Sequence, residues 1–88
     1  RLDFAVHNAG IDIETEPAQE WIAAPFAGTI GVNLGGVFHC MRQEIALMRR
    51  SGGGSIVNIG SVAALVGTPA RPAYTASKHA LVGLTRTA

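Results

Sequence analysis

Eighty-eight residues suffice for at most one small domain, and a chain this short buries a smaller share of its surface than a longer one. The apolar share is 48% with only 6% aromatic, so any core must be packed mainly from Ala, Val, Leu and Ile, a globular composition. The net charge is +1, from seven basic and six acidic residues scattered along the chain, which excludes a basic stripe for nucleic acid and a polybasic membrane patch.

In chain order, Leu2 to Val6 is a short apolar run interrupted only by Asp3 and ended by "HNAG", as expected for a strand covered on both faces of a parallel sheet. From Glu20 onward Pro25, Gly28 and Gly31 weaken any helix, and a break or kink is expected there. The following "NLGGVFHCMRQEIALMRR" places Val37, Met41, Ile45 and Met48 at helical spacing, with Arg49 and Arg50 at the end where cations suit the helix dipole. Cys40 is expected to pack on that helix. As the chain's one cysteine it can form neither an internal disulfide nor a metal site, which fits a reducing, cytoplasmic setting.

"SGGGS" at 51–55 follows a helix and opens a strand, the reverse of a phosphate loop, and is expected to be a helix stop. Ile56 to Ile59 predicts a second buried strand. The loop "VAALVGTPARP" is punctuated by Gly67, Pro69 and Pro72, and a last helix is predicted from near Ala73. No run reaches the roughly 18 apolar residues of a membrane helix, and nothing suggests a signal peptide. The chain starts without Met and stops inside a helical pattern, "VGLTRTA", so it is expected to be an internal piece of a longer protein.

Strand, helix, strand, helix implies an α/β chain with a right-handed parallel crossover, three-layered, with about two strands and two to three helices. Two strands alone leave both sheet edges unpaired, so flanking strands are expected elsewhere in the protein. In such sheets ligands bind beyond the carboxyl ends of the strands, and Asn8 and Ser61 are expected to face one crevice there.

The chain's only tyrosine and only lysine, Tyr74 and Lys78, stand four apart on the last predicted helix, where side chains are neighbours. A free tyrosine ionises near pH 10, and a nearby cation lowers such a value by roughly 1 to 3 units, enough to make a phenol a general acid and base. Ser61, thirteen residues before Tyr74, can donate its hydroxyl to a substrate oxygen or satisfy local backbone. It lacks the Gly-x-Ser-x-Gly elbow of a hydrolase. His7, His39 and His79 read as surface or packing residues. Asn33 lies near the expected kink, where its amide could satisfy freed backbone groups.

"HNAG", "VNLGGVF", "IVNIGSVA" and "AYTASKHALVGLTR" together closely resemble, in order and spacing, the central part of classical short-chain dehydrogenase/reductases, across nearly the whole chain. The resemblance implies that residues 1–88 are the middle of a single NAD(P)-binding, Rossmann-like domain with a doubly wound parallel sheet. It implies that Asn8, Ala9 and Gly10 line the dinucleotide site and that Asn33, Ser61, Tyr74 and Lys78 form the catalytic tetrad. Tyr74 would exchange the proton on the substrate oxygen. Lys78 would hold the nicotinamide ribose, Ser61 would polarise the substrate oxygen, and Asn33 would anchor a water linking Lys78 to solvent.

An NAD- or NADP-dependent oxidoreductase of a small alcohol or ketone follows, a homodimer or homotetramer built through the two helices, with no metal, nucleic acid or membrane partner. His7 stands where a second Asn is common and Gly60 where Ser is common. No Gly-x-Gly-x-x-Gly fingerprint is present, and the acidic or basic residue that would choose between NAD and NADP is expected outside these residues, so cofactor preference is unreadable. A non-catalytic dinucleotide-binding module and an inactive fragment are the alternatives. These residues alone are expected neither to fold robustly nor to turn over substrate.

Overall fold

In a computed structural model, which describes residues 1–88 apart from the side chain of Val62, two four-residue strands lie side by side and parallel. Strand β1 is Phe4–His7 and β2 is Ser55–Asn58, in the register Phe4↔Ser55 to His7↔Asn58. At the two ends of the ladder Ser55 N donates to Asp3 O at 2.9 Å and Ile59 N to His7 O at 3.1 Å. Parallel neighbours cannot be joined by a tight turn, and the connection here is the long helical segment between them.

That segment is one helical path with an irregular middle. Helix α1, Ala23–Ile30, passes into a π-helical turn at Gly31–Gly36 and then into helix α2, Val37–Arg50. Pro25 is only the third residue of α1, where the backbone N–H would have no partner within the helix, so it does not break it. The expected irregularity falls at "GVNLGG" instead. Helix α2 ends as "SGGGS" predicts: Gly52 takes φ +92°, and Gly53 N donates back to Met48 O at 2.7 Å.

Helix α3, Pro72–Thr87, starts one residue ahead of the expected position, with Pro72 at its first position. Its inward face repeats every four residues, Ala73, Ser77 and Leu81. Ala73 and Ser77 are small and fully buried, which lets α1 come close at the equally buried Thr29. The apolar centre is Val37, Met41 and Leu81, with Leu34, Ile45, Ile56 and Leu84 against it, so the predicted α2 stripe is the buried one.

The strands differ from expectation in one respect. Ala5, His7, Ile56 and Asn58 are half-buried on the helical side, whereas Phe4, Val6, Val57 and Ile59 on the other side are exposed, Phe4 at 77%. The crossover lays its helices on one face of the sheet, and among the described residues no segment covers the other. The shape agrees: the radius of gyration is 14.5 Å, above the roughly 12 Å of a compact domain of this length. Among the described residues no helix is long and apolar enough to cross a membrane.

Candidate active site

Lys78 is a buried ammonium, 6% exposed, on the second turn of α3. A buried charge needs partners, and one of its three donors goes to Ile59 O, just past the end of β2, at 3.2 Å. Its Nζ lies 5.7 Å from the centre of the Tyr74 ring, within cation–π range. The four-residue spacing therefore brings together a cation and a half-buried phenol at the carboxyl edge of the sheet.

Asn33 sits in the π-helical turn and is 1% exposed. Its amide does not serve the irregular helix around it. It reaches the loop after β1, accepting from Ile11 N–H at 2.7 Å and donating to Ile11 O at 2.8 Å, as a second peptide group would. Gly10 packs against both: a Cβ there would stand 3.3 Å from Asn33 Oδ1 and 3.8 Å from Lys78 Nζ. Gly10, Asn33 and Lys78 thus converge at one point, with Tyr74 alongside.

Ser61 is half-buried beyond the end of β2, and its Oγ accepts from Ala63 N–H at 3.2 Å. That local bond occupies a lone pair and leaves the hydroxyl proton free to donate. Asn8 and Ala9 line a cavity of about 520 Å³ with Val6, His7, Val37 and Cys40. Ser61 is not among its walls, so the structure does not join Asn8 and Ser61 in that cavity. Cys40, expected to pack, is exposed beside it.

Two groups escaped the sequence reading. Glu14 is buried, at 7%, and its Oε1 accepts from the N–H groups of Ala73 at 2.7 Å and Tyr74 at 3.4 Å. The one signal for it was negative, since Arg71 at the head of α3 supplies no side-chain cap.

The other is His7, which is neither a surface nor an apolar packing residue. Its Nδ1 faces Asn58 Oδ1 at 2.6 Å. Asn58 is oriented by donating from Nδ2 to Thr85 Oγ1 at 2.9 Å, and Thr85 spends its own proton on Leu81 O at 2.6 Å. His7 Nε2 approaches both Glu44 oxygens, at 2.7 and 3.0 Å; the nearer Oε1 is misaligned, and the hydrogen bond goes to Oε2. Both ring nitrogens face acceptors, which is the arrangement of an imidazolium. Burial lowers the His7 pKa, but the bonds to Asn58 and Glu44 and the Glu44 charge outweigh it and hold the pKa above 6.5.

No group of three or more His, Cys, Asp or Glu able to hold a metal occurs among the described residues.

A family model described as short chain dehydrogenase matches residues 1–88. The chain is 45% identical to a 3beta-hydroxysteroid dehydrogenase of Mediterraneibacter gnavus, over 98% of this chain and 31% of that protein. The crystal structure of levodione reductase superposes with a TM-score of 0.94 at 38% identity, covering 99% of this chain and 34% of the other. An NAD+-bound xylitol dehydrogenase gives 0.92 at 35% identity, over 97% and 33%. The chain spans about a third of the length of these relatives. Its strands and helices are therefore part of a doubly wound parallel sheet, and the chain belongs to the short chain dehydrogenase family.

Proposed function

We propose that the protein these residues belong to transfers a hydride between a nicotinamide cofactor, NAD or NADP, and a small alcohol or ketone, with Tyr74 as general acid and base. The observation that carries this reading is the buried Lys78 ammonium beside the Tyr74 ring, at the point where Gly10 and Asn33 also meet. Relatives support it: solved structures 37% and 35% identical to the chain are described with NADP and with NAD+ bound.

The residues present fit such a cofactor. Lys78 has three donors, of which Ile59 O takes one, and ribose hydroxyls suit the others. Gly10, with no side chain, leaves its approach open, and Asn8 and Ala9, which precede it in the chain, line a separate cavity that does not include Lys78. When bound, the nicotinamide supplies or accepts the hydride at the substrate carbon.

The chain's own groups handle the proton. In oxidation Tyr74 takes the alcohol O–H proton as the C–H electron pair leaves with the hydride; in reduction it returns a proton to the carbonyl oxygen. Ser61 donates its free hydroxyl proton to that same oxygen and fixes its position. Asn33 holds the Ile11 loop and anchors a water that links Lys78 to solvent. The chain is then the central part of one NAD(P)-binding domain, cytoplasmic, in a protein that pairs through its helices as a homodimer or homotetramer.

The test is to follow nicotinamide absorbance in the full-length protein with a panel of alcohols and ketones. Tyr74→Phe is expected to lower turnover by on the order of 10²- to 10⁴-fold with cofactor binding retained. Full activity in that variant would reject the assignment, and tight cofactor binding without turnover on any compound would favour a binding module.

A further inference from the structure

We propose that Glu14 is a positioning residue for this reaction: its buried carboxylate caps the helix that carries Tyr74 and holds the first turn, and with it the phenol, in register with Lys78. The inference rests on the proton-transfer role proposed for Tyr74.

The backbone of α3 shows why an outside acceptor is required. The first N–H groups of a helix have no partner within it. Pro72 has no N–H, and Thr75 N donates to Arg71 O at 3.0 Å. Ala73 and Tyr74 are what remains, and Arg71 offers neither of them a side chain. One oxygen of Glu14 takes both. Ala73 has no exposed surface, so water cannot replace that oxygen. A negative group at a helix N-terminus also meets the favourable end of the dipole.

The cap comes from a loop that is itself fixed. Asn33 binds Ile11 through both of its backbone groups, and Asp12 pairs with Arg71 at 3.0 Å. Ile11 to Glu14 therefore link Gly10 and Asn33 to the head of α3. Tyr74 is the third residue of α3 and Lys78 the seventh. Loss of the cap frays the first turn and moves Tyr74 while Lys78, one turn deeper and tied to Ile59 O, stays in place. A displacement of about 1 Å of a reacting group can cost on the order of 100-fold in rate.

The experiment uses the full-length protein with Glu14→Ala, Glu14→Gln and wild type. In Glu14→Ala the amide protons of Ala73 and Tyr74 should exchange faster while those of Lys78 to Leu81 keep their protection. The kcat should fall about 10- to 100-fold, with KM for the cofactor unchanged. Glu14→Gln keeps an acceptor oxygen at the same reach and should restore both protection and kcat to within a few-fold. If the Ala variant does not fold, Glu14→Asp, one methylene shorter, should show the same pattern to a smaller degree. Unchanged exchange at Ala73 and Tyr74, unchanged kcat, or a Gln variant as impaired as Ala would each overturn the proposal. A wild-type protein without turnover would instead sink the oxidoreductase reading, and the exchange data would still decide whether Glu14 caps α3.

Discussion

Two polar clusters lie near the carboxyl ends of the strands, and they are built differently. Around Asn33 and Glu14 every bond runs from a side chain to a backbone group, to Ile11, Ala73 or Tyr74. Around His7, side chains bond chiefly to other side chains: Glu44, Asn58 and Thr85. Neither the Asn33 amide nor the backbone of Ile11 can titrate, so that link keeps its geometry across pH, whereas the second cluster holds an imidazolium–carboxylate pair whose strength depends on a proton. The residues proposed for catalysis are supported by the first kind.

The sharpest way to break that contrast is Asn33→Leu, close in volume but unable to bond. It leaves the N–H and C=O of Ile11 without their partner and is expected to cost about 2–4 kcal/mol, read from urea denaturation of the full-length protein. Asn33→Asp keeps the acceptor but loses the donor, and should fall between.

Glu44→Gln probes the second cluster. Weakening the charged bond to His7 should cost about 1–2 kcal/mol near pH 6. The folded His7 pKa is raised, so the pair's contribution is fully present below the unfolded value near 6.5 and is lost as pH rises through the folded value. Melting temperatures across that window should fall in wild type and change less in Glu44→Gln. An equal slope in both would remove His7 as the cause.

The smallest effect is expected for Gly10→Ala. The new methyl would press to 3.3 Å against an Asn33 amide that two bonds prevent from yielding. About 1 kcal/mol of stability is expected to be lost, with a few-fold rise in cofactor KM. A neutral result would show that the convergence at Gly10 is looser than the distances suggest.

What the sequence makes legible is local. The Tyr74 and Lys78 spacing, the Val37 to Met48 stripe and the glycine stop after α2 each lie within a few turns of one element, and periodicity or turn chemistry exposes them. The Glu14 cap joins residues 59 and 60 apart, and the His7–Glu44 pair joins residues 37 apart. No spacing rule reaches that far. The bare strand face was missed for a related reason, since an apolar run does not say which part of a protein covers it. Pro25 misled by type: it discourages a helix interior but is harmless in a first turn.

The wide turn at Gly31–Gly36 keeps the helices on either side of it in phase. Each residue of an ordinary helix advances the side chains by about 100°, and a π-helical turn takes one residue more to complete the same rotation, so the extra residue is absorbed and α1 stays in phase with α2 across it. Thr29 on α1 and Val37, Met41 and Met48 on α2 are thereby all buried. A one-residue deletion in this stretch should therefore leave both flanking faces in place and disturb chiefly the contact of Asn33 with Ile11.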